Sequence, residues 1–140
     1  MGKKKKKIAN YKLEESNQIK ISQNIASPIT YEHPIFCFKF LHKDYSLKRC
    51  DKSEKVSLID RLHALSQMTW VQIQSADKHG FGSEKISLDS IKPKLPLTLT
   101  EDIKHLIALR FDGLKPMVGY RNNSIFHIIF LDNKFDVYTH

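Results

Sequence analysis

Apolar residues concentrate in the last third of the chain, where three apolar runs are separated by short polar stretches. The dipeptide Asp112-Gly113 follows the first run and suits a tight turn between strands. Asn122-Asn123 follow the second run, and asparagine tolerates the left-handed backbone angles that such turns need. The pattern therefore predicts an antiparallel meander over residues 103–140, with residues 135–138 as candidates for a short last strand.

Two further strands are predicted on either side of a helical region. Residues 35–41 alternate, so that Phe36, Phe38 and Phe40 share one face of an extended segment. Residues 83–88, with the sequence SEKISL, are typical of another strand. Together with the meander and the helical region at about 52–76, these segments predict an α+β fold, in which an antiparallel sheet packs against one or two helices.

The helical region has a recognisable start and an apolar stripe. Asp51 with Glu54 three residues later fits a capping pair. The apolar positions at helical spacing that we expect to face the sheet are Val56, Ile59, Leu62 and Leu65, widened by Leu58 and Met68. Thr69 either lies within a continued helix or caps a second short one, and Trp70 is expected to be a core residue where helix meets sheet.

The formal net charge is +8, and the lysines occur both in the first part of the chain and in the rest of it. Residues 1–27 are polar and lysine-rich, which predicts a flexible basic arm, and residues 28–140 are predicted to form one folded domain. A basic chain favours an acidic partner such as nucleic acid. The simpler interpretation is that the charge serves solubility.

Several classes of protein are disfavoured by the sequence. No apolar run approaches the roughly 20 residues that span a bilayer, and the start of the chain lacks the apolar segment of a secretory signal. Cys37 and Cys50 are too few for a disulfide scaffold and form no metal-ligand pattern. We therefore predict a cytoplasmic protein that uses no metal or cofactor and does not contact a membrane.

The order of the elements, together with three segments, resembles the RelE/ParE superfamily of small bacterial toxins. These segments are the helical pair ending at Trp70, KHGFGSEKI at residues 78–86, and LRFDG, MVGYR and FHIIFLD within residues 109–132. MVGYR and FHIIFLD are also similar to segments of small phage and mobile-element proteins. The resemblance implies a toxin of a toxin–antitoxin system: a metal-independent endoribonuclease that cleaves mRNA on the ribosome and is neutralised by a cognate antitoxin. The basic arm and the proline-containing loop at residues 92–100 depart from the family pattern.

RNA cleavage requires a deprotonated 2′-hydroxyl, stabilisation of the developing charge and a protonated leaving oxygen. Arg110 and Arg121 lie on neighbouring predicted strands and are candidates to clamp a phosphate. His127, Tyr138 and His140 are candidates to move protons. The alternative is structural: salt bridges for the arginines, for instance to Asp112 or Asp132, and a core position for the histidine at 127.

The segment that corresponds to the family's first catalytic strand offers a second set of candidates. Lys78, His79 and Lys85 are predicted to bind phosphate or RNA, and Glu84 is a candidate base. An ordinary solvated ion pair is the alternative for Glu84 and Lys85.

Two non-enzymatic functions stay open. The gyrase-directed ParE branch has the same fold without nuclease chemistry, so this chain is alternatively a binding protein that contacts nucleic acid or a bacterial enzyme through its basic face. A phage accessory protein would instead bind mainly through the lysine run at residues 3–7.

Overall fold

A computed structural model describes residues 32–139, which form a five-stranded sheet. In spatial order the strands are β1 (Ile35–Cys37), β5 (Ile125–Leu131), β4 (Lys115–Asn122), β3 (His105–Asp112) and β2 (Ser83–Ser87). Strands β2 to β5 form an antiparallel meander, whereas β1 runs parallel to β5. The predicted α+β class is confirmed. The predicted arm at residues 1–27 and His140 lie outside the described residues.

Both turns of the meander form at the predicted dipeptides. Asp112 pairs with Lys115 across a two-residue turn in which Gly113 has a φ of 56°. Asn122 pairs with Ile125 across the next turn, in which Asn123 has a φ of 57°. Glycine and asparagine are the residues that adopt this left-handed conformation at least cost, so local chemistry fixes both turns.

The predicted strand at residues 35–41 is wrong beyond Cys37. The Leu41 N–H donates to the Phe38 carbonyl (3.1 Å), which turns the chain away from the sheet edge, and the His42 N–H then donates to the Ile129 carbonyl (2.7 Å). Phe40 is thereby carried to the other face of the sheet, away from the core that Phe36 joins.

The candidate strand at residues 135–138 is a single bridge between Tyr138 and Ile91. The buried Asp132 carboxylate accepts the N–H groups of Asp136 (2.8 Å) and Val137 (3.2 Å), and these bonds bend the chain before a ladder can form. Residues 132–139, which we call the tail, are held against the sheet in this bent form.

Two helices, α1 (Lys52–Ser66) and α2 (Trp70–Ser75), begin at the predicted caps. Asp51 and Glu54 form a capping box, and Thr69 caps the second short helix, which was one of the two alternatives. Within residues 32–139 no helix is long and apolar enough to cross a bilayer.

The predicted apolar stripe of α1 is correct at Leu58 and Leu65 and wrong at Val56 and Ile59, whose exposed fractions are 60% and 62%. The side of α1 that packs against the sheet carries Glu54, Leu58 and Leu65. The Glu54 carboxylate lies 3.3 Å from Lys115 Nζ and accepts a hydrogen bond from Asn133, so its burial is compensated.

Apolar layers cover both faces of the sheet. The first face packs against the helices, and its buried residues are Cys50, Leu58, Leu65, Trp70, Ile73, Leu109, Phe111, Met117, Phe126, Ile128 and Leu131. The second face packs against the loop at residues 88–104 and the tail, and its buried residues are Ile86, Leu106, Ala108, Val118, Ile129, Phe130, Val137 and Tyr138. A register shift opposite Val118 and Gly119 turns both Ile129 and Phe130 to this second face.

Candidate functional site

The candidate catalytic residues of the second face lie at two separate positions. Arg110 pairs with Pro116 near the β3–β4 turn, and Tyr138 contacts it there. His127 pairs with Tyr120, four residues further along β4. At the usual rise of a strand this separation is about 13 Å, so one small reacting group does not reach both positions.

Arg110 is the centre of a buried hydrogen-bonded group. It is 4% exposed, and its Nη2 donates to Glu84 Oε2 at 2.6 Å. Its Nη1 donates to the Leu114 carbonyl (3.0 Å) and the Tyr138 hydroxyl (3.3 Å), and its Nε donates to the Lys78 carbonyl (3.4 Å). We call Lys78, Glu84, Arg110 and Tyr138 the Arg110 cluster. All three guanidinium nitrogens already have partners.

Within the Arg110 cluster one carboxylate, that of Glu84, pairs with two cations, Arg110 and Lys78. Glu84 is 29% exposed and also lies 3.8 Å from Lys78 Nζ. Burial raises the pKa of Tyr138 above its usual value, although the Arg110 charge acts in the opposite direction. A raised pKa keeps the phenol protonated. The cluster therefore ties β2, the β3–β4 turn and the tail together, and the ion-pair partner of Arg110 is Glu84 rather than Asp112 or Asp132.

Arg121 lies on the helix-covered face. Its guanidinium stacks 4.4 Å from the centre of the Trp70 ring, and its Nε donates to the Asn123 carbonyl at 2.7 Å. Burial lowers the pKa of Arg121. Since Trp70 Nε1 donates to the Ser124 carbonyl (3.0 Å), both side chains secure the β4–β5 turn. Arg110 and Arg121 occupy neighbouring strands but opposite faces, so they do not form the phosphate clamp that the sequence suggested.

The remaining candidates are dispersed. His79 is exposed in the loop before β2, where its backbone N–H donates to the Asp77 carboxylate (2.8 Å). Lys85 is exposed on β2, an edge strand, and Lys78 belongs to the Arg110 cluster. His140 lies outside the described residues. A role of the lysines and His79 in binding phosphate stays a prediction.

His127 faces a cavity of about 290 Å³ on the second face of the sheet. We call this cavity the His127 pocket; its lining residues are Phe40, Thr98, Leu99, Tyr120, Asn122, His127 and Ile129. The Tyr120 and His127 rings are stacked, with centroids 5.3 Å apart and planes 14° apart. The Phe40 ring lies 5.4 Å from His127. Among the described residues, His127 Nδ1 is buried and has no hydrogen-bond partner.

The backbone explains why these rings meet. A Cβ at Gly119 would lie 2.0 Å from the His127 carbonyl oxygen, so only glycine permits this approach of β4 to β5. The register shift at the same place sets Tyr120 directly opposite His127. Cross-strand neighbours on one face are close enough for their rings to touch. The pocket thus depends on the strand register as much as on the aromatic residues.

Phe40 also lines a second cavity, of about 370 Å³. We call it the lysine groove; its lining residues are Lys39, Phe40, Leu41, His42, Lys43, Lys94, Leu95, Pro96 and Leu97. Lys39 Nζ lies 5.5 Å from the centre of the Phe40 ring. Among the described residues, no aspartate or glutamate lines either cavity. The combined surface is therefore basic and aromatic.

Sequence reasoning did not identify this surface as a site. One local signal was present, because FKFLHK at residues 38–43 carries rings at every second position and lysines at two of the positions between and after them. The other contributors come from the loop at residues 88–104 and from two strands of the meander, so the pocket forms only through tertiary packing.

Comparisons of the chain with protein-family models, with curated proteins and with solved structures found no significant match. The resemblance to the RelE/ParE superfamily therefore stays a prediction, as do the ribosome and the antitoxin that it implies as partners.

Proposed function

We propose that the protein binds single-stranded RNA along the lysine groove and the His127 pocket. The observation that carries this proposal is the shared residue Phe40: it lines both the groove that carries Lys39, Lys43 and Lys94 and the pocket that carries three rings. A strand laid across this surface would place its backbone beside the lysines and its bases beside the rings.

The chemistry favours nucleic acid over other acidic partners. Lysines that neutralise phosphates release condensed counterions, which supplies much of the affinity for any nucleic acid. Aromatic rings can also stack on nucleobases, and this contribution would be missing if the partner were an acidic protein. Both terms are present on one surface, in a chain whose formal net charge is +8.

The pocket favours a single strand over a duplex. In a duplex the faces of the bases are covered by their neighbours, whereas bases in single-stranded RNA can be turned outward and stacked on side chains. A duplex could contact the lysines but could not fill the pocket. We therefore expect single-stranded RNA to bind more tightly than double-stranded RNA of the same sequence.

The test is a salt titration of RNA binding by the full chain, measured by fluorescence anisotropy. The variant Lys39→Gln/Lys43→Gln/Lys94→Gln removes three groove charges. We expect the slope of log affinity against log salt to become shallower by about 2, since each lost contact to a single strand changes it by roughly 0.7.

The matched control is Lys52→Gln/Lys55→Gln/Lys134→Gln, which removes three exposed charges away from the groove. We expect its salt slope to stay close to that of the wild type. Equal effects of the two triple variants would contradict a defined groove, and absence of RNA binding by the wild-type chain would overturn the proposal. Single-stranded DNA serves as a parallel probe, because the 2′-hydroxyl distinguishes the two polymers.

A second candidate function is the endoribonuclease activity that the sequence resemblance implies. One observation favours it: Lys78, Glu84, Arg110 and Tyr138 lie together. Against it, every guanidinium nitrogen of Arg110 is already bonded within the protein. The same RNA, resolved on a denaturing gel after incubation, provides the test: new ends that disappear in Glu84→Gln would support cleavage.

A further inference from the structure

The His127 pocket combines three features that a plain hydrophobic cavity lacks. Its volume of about 290 Å³ lies just below the ~300–1,000 Å³ typical of ligand sites. Its walls carry the rings of Phe40, Tyr120 and His127. It also contains polar groups from Thr98, Asn122 and His127. A compact ligand with a flat ring and polar edges fits this combination.

The strongest single indication is the buried Nδ1 of His127. It has no hydrogen-bond partner among the described residues. A buried polar atom left unpaired is destabilising, and most such atoms in folded proteins are paired with protein or water. Rotation of the imidazole ring toward the cavity would bring this nitrogen to the edge of a ligand, and a neutral imidazole can either donate or accept there.

Asn122 supplies the second polar contact. It lies at the end of β4 beside the β4–β5 turn and lines the cavity. A carboxamide presents a donor and an acceptor side by side, which is the arrangement that recognises the edge of a nucleobase. The rings would hold the face of the base while Asn122 and His127 contact its edge.

We propose that the His127 pocket takes up one unstacked nucleobase of the bound RNA strand and is the position at which the protein distinguishes one base from another. This inference rests on the proposed RNA-binding function. In addition, it assigns different roles to the two cavities. The lysine groove determines the affinity for the RNA backbone, and the pocket determines which base is preferred.

The first test compares two probes of about eight nucleotides, a length within the usual range of single-strand sites. One is a single-stranded RNA of mixed sequence, and the other is a ribose–phosphate strand without bases. The wild-type chain should bind the base-containing strand roughly 5- to 150-fold more tightly, the range expected for stacking of one base.

The variant Tyr120→Ala should lose most of this difference. It should bind the base-containing strand about as weakly as the baseless strand, while its salt slope stays unchanged because no phosphate contact is lost. The matched control is Phe38→Ala, because Phe38 is exposed and does not line the cavity. This variant should bind as the wild type does. Thermal unfolding of both variants verifies that they are folded.

A second variant keeps the proposal testable if Tyr120→Ala does not fold. His127→Phe retains a ring but removes Nδ1. With homopolymers of adenine, cytosine and uracil nucleotides, the wild type should show a preference of about tenfold or more for one base. The variant should bind the three within about threefold of one another.

The outcomes separate this inference from the proposed function. If the wild type binds base-containing and baseless strands equally, and the groove lysines still set the salt slope, RNA binding holds but the pocket is not a base site. If the wild type binds neither strand, the proposed function itself fails. If His127→Phe retains the full base preference, the reading of the base by His127 is overturned.

Discussion

Arg110 and His127 lie on the same face of one sheet, yet their hydrogen bonding is opposite. Arg110 is almost fully buried, and its guanidinium nitrogens are bonded to β2, the loop before β2, the β3–β4 turn and the tail. His127 stands in a cavity with a buried nitrogen that has no partner in the described part of the chain. Arg110, one of the two arginines that the sequence offered as a phosphate clamp, is thus fully engaged within the fold, whereas His127, for which the sequence left a catalytic and a core position open, faces a cavity.

The largest expected effect is that of Arg110→Met. The substitution leaves the Glu84 carboxylate without its closest cation and the Lys78 and Leu114 carbonyls without a donor. We expect the free energy of unfolding to fall by about 2–4 kcal/mol, measured by urea denaturation.

Lys85→Met is the matched control for that prediction, because Lys85 is an exposed neighbour of Glu84 on the same strand. It should change the free energy of unfolding by no more than about 0.5 kcal/mol. If the Arg110→Met variant were as stable as the wild type but had lost activity on RNA, the structural role of Arg110 would be contradicted. That result would favour a catalytic role for Arg110.

A smaller effect is expected from Gly119→Ala. The added methyl group would collide with the His127 carbonyl, so the strands must separate where the pocket forms. We expect a loss of about 2 kcal/mol in the free energy of unfolding and a loss of base preference in RNA binding. Gly80→Ala is the control, since its new Cβ would make only ordinary contact with the Asp77 carbonyl at 3.5 Å. Equal stability of the two variants would contradict the role of Gly119.

Glu54, like Arg110, is a buried charged residue whose hydrogen-bond partners belong to the protein. A variant at this position therefore tests whether such a charge stabilises the fold. Burial alone would raise the pKa of Glu54, but hydrogen bonds from the Asp51 N–H, Asn133 and Lys115 hold it below its usual value. A lowered pKa in the folded state means that the charged form stabilises the protein. This contribution is present above the ordinary carboxyl pKa of about 4.3 and is lost as the pH falls through the lower folded-state value.

The Glu54→Gln variant should therefore be less stable than the wild type by roughly 1–2 kcal/mol near neutral pH. The difference should shrink as the pH is lowered below the carboxyl range, because the protonated glutamic acid resembles glutamine. Urea denaturation across this range provides the measurement, with Glu101→Gln, an exposed position, as the control. A stability difference that does not depend on pH would contradict the charge-based explanation.

The smallest effect is expected from Arg121→Gln. It removes a stacking contact with Trp70 and one hydrogen bond at the β4–β5 turn. We expect a loss of about 0.5–1.5 kcal/mol in stability and a change of about threefold or less in RNA affinity. A much larger loss of RNA binding in the folded variant would show that the helix-covered face belongs to the binding surface.

The features that the sequence predicted correctly depend on neighbouring residues. The two meander turns follow from Gly113 and Asn123, and the start of α1 follows from Asp51 and Glu54. Each requires only a few consecutive residues, so a local pattern is sufficient. The order of β3, β4 and β5 follows in turn, because short turns force adjacent strands to pair.

The features that the sequence did not predict depend on distant residues. The rotation of α1 that leaves Val56 exposed is set by Glu54 through Lys115 and Asn133, far along the chain. The partner of Arg110 comes from β2 rather than from its own turn. The His127 pocket requires a register shift that no composition or periodicity signals. Side-chain type suggested candidates, but only tertiary structure could sort them.

The most direct test of the comparison is an NMR titration of the ¹⁵N-labelled full chain with single-stranded RNA. We predict that the backbone signals of Phe40, Asn122 and His127 change most, together with the imidazole nitrogen signals of His127. Signals of Glu84 and Arg110 should stay almost unchanged. The opposite result, with the largest changes at the Arg110 cluster and none at the pocket, would contradict the assignment of the His127 pocket as the ligand site.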